Sequence, residues 1–412
     1  MHPRPSRLTD LLLHEAPSGV RVLLMSHHHP DSGAIGAVRV NSFAHHLENL
    51  GCDVRQIRGR TEPPGAGRGS VAGSSRGRVT RLVRAILGWF FRQFVAVPDR
   101  AMRDVPQLLR DGRGLADWDP QVIVASGPPF SIYVAAWRLS KELSIPWIAD
   151  YRDLWSLGSY YSLGRFRRRV DQAIERRLLR TCSAVVTVSA PLARDMSKTF
   201  GVSSHVVLNG ADPLPESIAA LGVDCSDTEL TIVHTGIIYP QKRDPRPLLW
   251  ALQNMSHAPL SVRVIFVGPP DESLVRMVND LDLQERVVIK GAVPRSESLA
   301  IQAEADVLLL LMWNHPGEEG VYSGKLFDYL AARRPILMIG YPDGVAADLI
   351  RSRNAGFVAT SVDDVSAALT YWLSEKERKG RVAPLDADVL KGLTRKDSAR
   401  ELMAVIDQVI GR

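Results

Sequence analysis

The sequence predicts an α/β protein with two doubly wound domains, each built on a parallel sheet that helices cover on both faces. Three observations lead to this fold class. Short apolar runs rich in β-branched residues alternate with helical segments, and such runs are typical of parallel strands buried on both faces. The chain has 412 residues, enough for two domains. A polar stretch with two prolines, residues 213–228, divides the pattern into two halves.

Eleven runs are predicted to be strands, five before the polar stretch and six after it. They are residues 20–26, 121–126, 145–150, 184–189 and 205–208, and then 230–235, 262–267, 286–289, 306–311, 335–339 and 356–359. The predicted domains are residues 1–212 and 229–388, joined by the linker 213–228. The last segment, 389–412, is predicted to be a helix that packs back toward the first domain.

Composition indicates the kind of partner and the cellular compartment of the protein. The formal net charge is +6, which is mildly basic and fits an anionic substrate or surface. The three cysteines, Cys52, Cys182 and Cys225, are far apart and show no zinc or disulfide spacing, which favours a reducing compartment. Neither a signal-peptide core nor an apolar run of about twenty residues is present, so we expect a cytoplasmic protein.

Three basic or polar segments lie outside the strand pattern. Residues 61–78 are rich in Gly, Ser, Arg and Pro and predict a flexible loop. Residues 79–97 combine arginines with aromatic side chains, and predict either an amphipathic helix on a membrane surface or a core helix. Residues 164–180 carry seven arginines against two acids. A solvated helix face is the favoured interpretation, and a contact with anionic lipid is the second.

Residues 320–337, GVYSGKLFDYLAARRPIL, have the features of a nucleotide site. Small residues and Lys325 open an amphipathic helix, and the N–H groups of a helix N-terminus suit a phosphate. Asp328 lies one turn further along, where its carboxylate can accept hydrogen bonds from a ribose diol. The stretch therefore predicts a nucleotide-diphosphate site.

Together with residues 230–249, LTIVHTGIIYPQKRDPRPLL, this stretch resembles the C-terminal domain of glycosyltransferase family 4, which has the GT-B fold. The N-terminal half agrees: residues 126–131, SGPPFS, and 148–155, IADYRDLW, resemble the turns of that family. The resemblance covers nearly the whole chain. It implies two Rossmann-like domains facing across a cleft, and retaining sugar transfer without a metal or other cofactor.

The resemblance also assigns residues to the sugar-nucleotide donor. Ser323, Gly324 and Lys325 would meet the diphosphate, and Asp328 the ribose. Gly236, Lys242 and Arg243 would line the phosphate turn, and Gly33 and Gly36 would let the first loop approach the donor. Two positions depart from the family pattern. Ile237 stands where an arginine is usual, so Arg243 or Lys325 would substitute, and Gly320 stands where an acid is usual, so Glu319 would take its place.

Arg152 and Asp153 follow a strand of the first domain and are the predicted catalytic residues. Asp153 would accept the proton of the acceptor hydroxyl or orient that hydroxyl, and Arg152 would meet a phosphate or an acidic acceptor. The alternative is an Asp–Arg pair that caps the next helix. The histidines at positions 27–29 are not expected to bind metal, because adjacent residues on an extended chain point in opposite directions.

The leading hypothesis is a hexosyltransferase-type glycosyltransferase that moves a sugar from a nucleotide-diphosphate donor to a hydroxyl acceptor. A lipid-linked glycan at the inner membrane face would be a fitting acceptor, as in cell-surface polysaccharide or glycolipid synthesis, with peripheral contact to an anionic membrane. Two alternatives stay open: a nucleotide-sugar 2-epimerase of the same fold, and a non-catalytic nucleotide-sugar-binding subunit. Nucleic-acid binding is not expected, since the arginines belong to no recognised module.

Overall fold

A computed structural model describes residues 19–29, 35–60, 97–161, 163–215, 218, 229–239, 242–255 and 261–412. The first domain contains a six-stranded parallel sheet in the order β2-β1-β3-β4-β5-β6. Its strands are β1 Arg21–Ser26, β2 Asp53–Arg58, β3 Val122–Gly127, β4 Trp147–Tyr151, β5 Ala184–Thr187 and β6 Ser204–Val206. The order reverses between β1 and β3, which is where ligands bind in sheets of this type.

The second domain contains another six-stranded parallel sheet, in the order β12-β11-β10-β7-β8-β9. Its strands are β7 Glu229–Thr235, β8 Ser261–Val267, β9 Val287–Lys290, β10 Val307–Leu311, β11 Ile336–Ile339 and β12 Gly356–Ala359. All neighbouring strands in both sheets pair in parallel, so a helix crosses over between most of them.

Helices lie on both faces of the two sheets. In the first half they are α1 Ile35–Asn49, α2 Val105–Arg113, α3 Ser131–Leu143, α4 Arg165–Leu179 and α5 Ala190–Phe200. In the second half they are α6 Arg246–Asn254, α7 Glu272–Asp280, α8 Arg295–Glu304, α9 Gly324–Ala331, α10 Val345–Ser352, α11 Val362–Lys379 and α12 Arg395–Ile410. Among the described residues, no helix is both long and apolar enough to cross a membrane.

Each sheet has a hydrophobic cluster on both faces, as expected for doubly wound domains. The last helix, α12, lies in a cluster of the first domain, where Leu402 and Ile406 pack with Val22 and Val124 of the sheet. A capping box at Thr394 starts this helix: the Thr394 hydroxyl accepts from the Asp397 N–H, and the Asp397 carboxylate accepts from the Thr394 N–H.

The chain crosses between the domains at two places that lie side by side. Ala211 forms an isolated parallel bridge with Thr394, and its N–H donates to Leu393 O at 3.1 Å. Gly210 has a φ of +64°, and a Cβ there would lie 2.8 Å from the Thr394 carbonyl carbon. A glycine is therefore required at this close approach of the two crossings.

The predicted fold class is confirmed, and all eleven predicted strands are present. One strand was missed: β2 is mostly exposed, and only Ile57 is buried. It is polar because it forms the edge of its sheet, so the buried-run pattern does not mark it. The predicted loop 61–78 and the helix predicted over 79–97, except for Val97 at its end, lie outside the described residues.

Candidate active site

A cavity of about 190 Å³ lies between the carboxyl ends of the two sheets. Both domains contribute to its wall, and the polar groups come mainly from the loops and helix starts that follow strands. The lining residues are Val38, Arg39, Asn209, Gly210, Thr235, Gly236, Arg295, Ser298, Gln302, Gly324, Lys325, Asp328 and Arg395. The structure thus brings together four predicted donor residues: Gly236, Gly324, Lys325 and Asp328.

Lys325 is the central cation of this cavity. Burial, with a smaller effect of Arg243, lowers the pKa of Lys325 to about 7. Its Nζ lies 3.2 Å from His234 Nε2, and His234 Nδ1 lies 2.9 Å from Leu309 O. The Nδ1 atom must donate to that carbonyl, so Nε2 is free to accept from the lysine. Burial holds the pKa of His234 well below its usual value, so this partner is neutral and leaves the lysine without a counter-charge.

Gly236 makes room for this lysine. It follows β7 with a φ of +99°, and its N–H donates to Val267 O at 2.6 Å. A Cβ at this position would lie 2.7 Å from Lys325 Cε. Any larger residue would therefore displace the lysine side chain, as well as straining the backbone.

Arg243 is a second positive charge close to Lys325, and its proximity contributes to the lowered pKa of the lysine. Its guanidinium lies 4.7 Å from the centre of the Tyr239 ring, and its buried Nε has no hydrogen-bond partner among the described residues. Ser323, with extended backbone, precedes α9, and the helix begins at Gly324. Lys325 and the start of α9 at Gly324 therefore lie in the cavity wall, while Arg243 and Ser323 lie outside the lining, and a lysine beside a helix start suits an anion.

Asp328 lines the cavity one turn beyond Lys325 and pairs with Arg295, the first residue of α8. Arg295 Nη2 lies 3.0 Å from Asp328 Oδ1, and Arg295 Nη1 lies 3.4 Å from Oδ2. The carboxylate is only partly exposed, whereas about half of the arginine side chain is exposed. Arg295 was not among the predicted site residues, although its position at a helix start after strand β9 is the kind of signal that marks such residues.

Lys242 does not line the cavity. Its Nζ lies 3.9 Å from the centre of the Tyr160 ring and 4.5 Å from that of Trp313, so it is held between one ring from each domain. Such cation–π contacts stabilise a lysine by about 0.5–2 kcal/mol each. The diphosphate role predicted for Lys242 stays a prediction, and the structure brings Arg243 rather than Lys242 beside Lys325.

The two adjacent glutamates before α9 have different environments. Glu318 is buried, and burial raises its pKa; Tyr160, Arg243 and Lys242 are its polar neighbours. Neither of its carboxylate oxygens makes a well-formed hydrogen bond with a described residue. Glu319, the predicted residue, is about half exposed and pairs with Arg194 of the first domain at 3.1 Å. Sequence reasoning therefore missed Glu318, since nothing in two consecutive acids shows which one turns inward.

The surroundings of Gly320 leave no room for the acid that is usual at this position. A Cβ there would lie 2.8 Å from Leu192 Cδ2 of α5, and Gly320 O accepts a 2.6 Å hydrogen bond from Ser189 Oγ. The position is therefore filled by contact between the two domains. Ile237, at the other departure from the family pattern, is 48% exposed.

Arg39, Asp150 and Arg152 of the first domain are engaged with neighbouring groups of that domain. Arg39 donates to both oxygens of Asp150, at 2.8 to 3.2 Å, and also to Leu208 O and Val207 O. Arg152 donates to Gly127 O at 3.1 Å and to Pro128 O, and its Nη2 lies 2.9 Å from His28 Nε2. Its guanidinium therefore fastens the turn that follows β3.

Asp153 is exposed, and no hydrogen bond or ion pair of its carboxylate is found among the described residues. It therefore remains accessible, and the catalytic roles of Arg152 and Asp153 stay predictions. Gly36 lies in α1, where a Cβ would overlap Arg152 Nη1 and His28 Cδ2. Gly33 lies outside the described residues. No cluster of three or more metal-binding side chains occurs within the described ranges.

Solved structures with the same architecture define the fold. The chain is similar to a sucrose-phosphate synthase from Thermosynechococcus elongatus, with 13% identity, a TM-score of 0.67 and coverage of 95% of this chain and 99% of that one. It is similar to HepE from Anabaena, solved with UDP and glucose, with 13% identity, a TM-score of 0.62 and coverage of 94% and 100%. A UDP-GlcNAc 2-epimerase from Methanocaldococcus jannaschii is similar over 94% and 99%, at 11% identity and a TM-score of 0.52. The fold is GT-B, with two Rossmann-like domains facing across a cleft.

Family models identify the chain more closely. Residues 36–213 match the model for Glycosyltransferase Family 4, and residues 229–375 match the model for Glycosyl transferases group 1. The chain belongs to the family 4-like glycosyltransferases, and the resemblance seen in the sequence motifs is confirmed. No curated protein matches the chain.

Proposed function

We propose that this glycosyltransferase transfers a hexose from a nucleotide-diphosphate sugar to a hydroxyl acceptor, with retention of configuration. The observation that carries the donor class is Lys325, a largely buried cation whose closest polar partner is a neutral histidine. Burying a cation without a counter-ion costs free energy, which lowers the pKa of Lys325, and an anion bound beside it would restore the charged form. Arg243 lies beside it, so the site combines a permanent cation with a lysine that a bound diphosphate would protonate.

The same groups supply the catalytic effect that we propose for this domain. The leaving nucleotide diphosphate gains negative charge as the glycosidic bond breaks. Lys325, Arg243 and the N–H groups at the start of α9 are fixed before the substrate arrives, so they stabilise that developing charge at no cost in reorganisation. This arrangement requires no metal ion.

In this proposal Asp328 binds the ribose of the donor and Glu318 binds its sugar. Asp328, oriented by Arg295, accepts hydrogen bonds from the ribose hydroxyls. Glu318 accepts from hydroxyls of the sugar, because its buried carboxylate oxygens make no well-formed hydrogen bond with a described residue and lie near Arg243 and Lys242. Glu318 rather than Glu319 thus takes the place of the acid that is missing at position 320.

The acceptor side of the proposal belongs to the first domain. Asp153 is the exposed carboxylate beside the Arg152 turn and would orient or deprotonate the acceptor hydroxyl. A lipid-linked glycan at the inner membrane face remains the proposed acceptor. A uridine donor is the first one to test, because HepE was solved with UDP and glucose.

The test is incubation of the purified chain with radiolabelled UDP-, GDP-, ADP- and dTDP-sugars, with and without a membrane extract. We expect label to pass from one donor to an extractable acceptor, and we expect Lys325→Met to abolish that transfer. The absence of both transfer and donor hydrolysis under all of these conditions would contradict the proposal. An epimerised nucleotide sugar formed without acceptor would indicate a 2-epimerase instead. Nucleotide binding without turnover, together with a stable protein partner, would indicate a non-catalytic subunit.

A further inference from the structure

The exposed face of helix α4 carries positive charges alone. The helix contains two acids, Asp171 and Glu175, and both are buried on the inner side. Asp171 accepts from Arg167 Nε at 2.8 Å and from the Tyr161 hydroxyl at 2.7 Å. Glu175 accepts from the backbone N–H and the hydroxyl of Ser156. Both carboxyl groups of this helix are therefore hydrogen-bonded inside the domain and do not neutralise its exposed arginines.

Five arginines occupy the opposite side of the helix and are called here the arginine face: Arg165, Arg169, Arg176, Arg177 and Arg180. With 3.6 residues per turn they fall within an arc of about 120°. Arg165, Arg169, Arg177 and Arg180 are exposed, and none of these four side chains has an ion pair or hydrogen bond among the described residues. Arg176 is half-buried over the Phe200 ring and donates to Thr199 O.

A row of like charges without counter-ions is unfavourable in isolation and becomes favourable against an extended surface of opposite charge. The helix has 15 residues and a length of about 22 Å, so it can meet several anionic groups at once. Phe166, at its N-terminal end, is 68% exposed and lies on the same side by helical spacing. An aromatic ring among arginines suits the boundary between lipid headgroups and acyl chains, whereas a nucleic-acid backbone attracts the cations alone.

We propose that the arginine face docks the protein on the surface of an anionic lipid bilayer. Helix α4 follows the loop that carries Asp153 and Tyr160, so its N-terminal end lies on the cleft side of the first domain. Docking would therefore bring the acceptor side of the cleft next to the lipid surface. The docking itself does not depend on which reaction the cleft performs.

The experiment uses the full chain and sedimentation with phosphatidylcholine vesicles, with and without one third phosphatidylglycerol. We expect binding to the anionic vesicles alone and loss of that binding at high salt. The double variant Arg169→Gln/Arg177→Gln should bind about 25-fold more weakly, since each arginine near an anionic surface contributes about fivefold. Both side chains are exposed, so the fold should be retained, which circular dichroism would check.

The matched control is Arg276→Gln/Arg378→Gln, which removes the same charge from exposed positions of the second domain. This control should bind within about twofold of the unmodified chain. Equal loss in both double variants would show a net-charge effect and overturn the proposal. The proposal would also be overturned if the unmodified protein did not bind anionic vesicles, or if the Arg169→Gln/Arg177→Gln variant bound them as tightly as the unmodified protein does. Duplex DNA that binds more tightly than the vesicles, with the same dependence on Arg169 and Arg177, would assign the face to nucleic acid instead.

Discussion

The two domains have the same layered architecture but differ in how the cations close to their strand ends are neutralised. In the first domain, buried Asp150 and Arg39 satisfy each other, and Arg152 is fully engaged with the turn after β3. In the second domain, Lys325 and Arg243 form no ion pair among the described residues, and Glu318 makes no well-formed side-chain hydrogen bond with them. The difference teaches that a conspicuous charged motif can be scaffold in one domain and ligand site in the other. Breaking a pair in the first domain should cost stability, and changing a charge in the second should cost binding.

The largest expected effect is on stability and lies in the first domain. Asp150→Asn leaves Arg39 as a buried cation without its counter-charge, and breaking such a pair costs about 3–5 kcal/mol. We expect urea denaturation to show a loss of that size in the free energy of unfolding. Asp119→Asn, which breaks an exposed pair with Arg21, is the control and should cost less than about 1 kcal/mol. Equal effects in the two variants would remove the contrast between the domains.

The next prediction is the converse, in the second domain. Lys325→Met removes a cation that has no counter-ion, so the free energy of unfolding should change by no more than about 1 kcal/mol. Binding of the preferred nucleoside diphosphate, measured by calorimetry, should weaken about 10- to 100-fold, because hydrogen bonds to charged groups are lost. Lys290→Met, at an exposed position, should alter neither quantity. A Lys325→Met chain that binds as tightly as the unmodified one would refute the anion site.

The pH dependence of nucleotide binding tests whether Lys325 lacks a counter-ion in the free protein. Burial sets the pKa of Lys325 near 7 in the free protein, and a bound diphosphate should raise that pKa. Between pH 7.5 and 9 the nucleotide phosphates are fully ionised, because their last pKa is about 6. Binding must then take up a proton on Lys325, so the affinity should fall up to about tenfold per pH unit as pH rises.

Calorimetry in two buffers of different ionisation enthalpy measures this proton uptake, which should approach one proton at pH 8. A Lys325→Arg variant, which stays charged throughout this range, should show no such uptake even if its affinity is lower. A wild-type affinity that is independent of pH would mean that Lys325 is already protonated in the free protein, or does not touch the anion.

The smallest expected effect concerns Asp328. Asp328→Asn keeps the size of the side chain but weakens both the pair with Arg295 and the acceptor for ribose hydroxyls. Nucleoside diphosphate binding should weaken about 3- to 10-fold, in the range of single hydrogen bonds. Inorganic pyrophosphate, which has no ribose, should bind as before, and Asp348→Asn serves as an exposed control. An equal loss for both ligands would place Asp328 at the phosphates rather than at the ribose.

Much of the fold follows from local pattern, and the exceptions are informative. Strands such as β3 and β10 are buried on both faces, so their composition alone marks them. The edge strand β2 has one buried residue and is recognised only once its partner β1 is known. Gly236, Lys325 and Asp328 could be placed together because the carboxyl ends of parallel strands meet at one edge.

The remainder of the site depends on contacts between distant parts of the chain. Lys242 lies against Tyr160, which is supplied by the other domain, and no spacing rule predicts that pairing. Glu318 turns inward while Glu319 reaches Arg194, because the short 3-10 turn Pro316–Glu318 sets the direction of each side chain. The exclusion of an acid at Gly320 likewise depends on Leu192 of the first domain. Such features require the packed domains before they can be seen.

The position of α12 has a consequence for synthesis on the ribosome. Chains of this size usually complete their N-terminal domain while the rest is still being translated, at about 5–20 residues per second. Here the first sheet gains one of its covering helices, α12 with Leu402 and Ile406, from residues made long after the first sheet itself. The nascent first domain must therefore expose an apolar face for roughly 10 to 40 s after residue 211 has emerged. Emergence of α12 from the ribosome, rather than completion of the first half, is the event that covers this face of the first sheet.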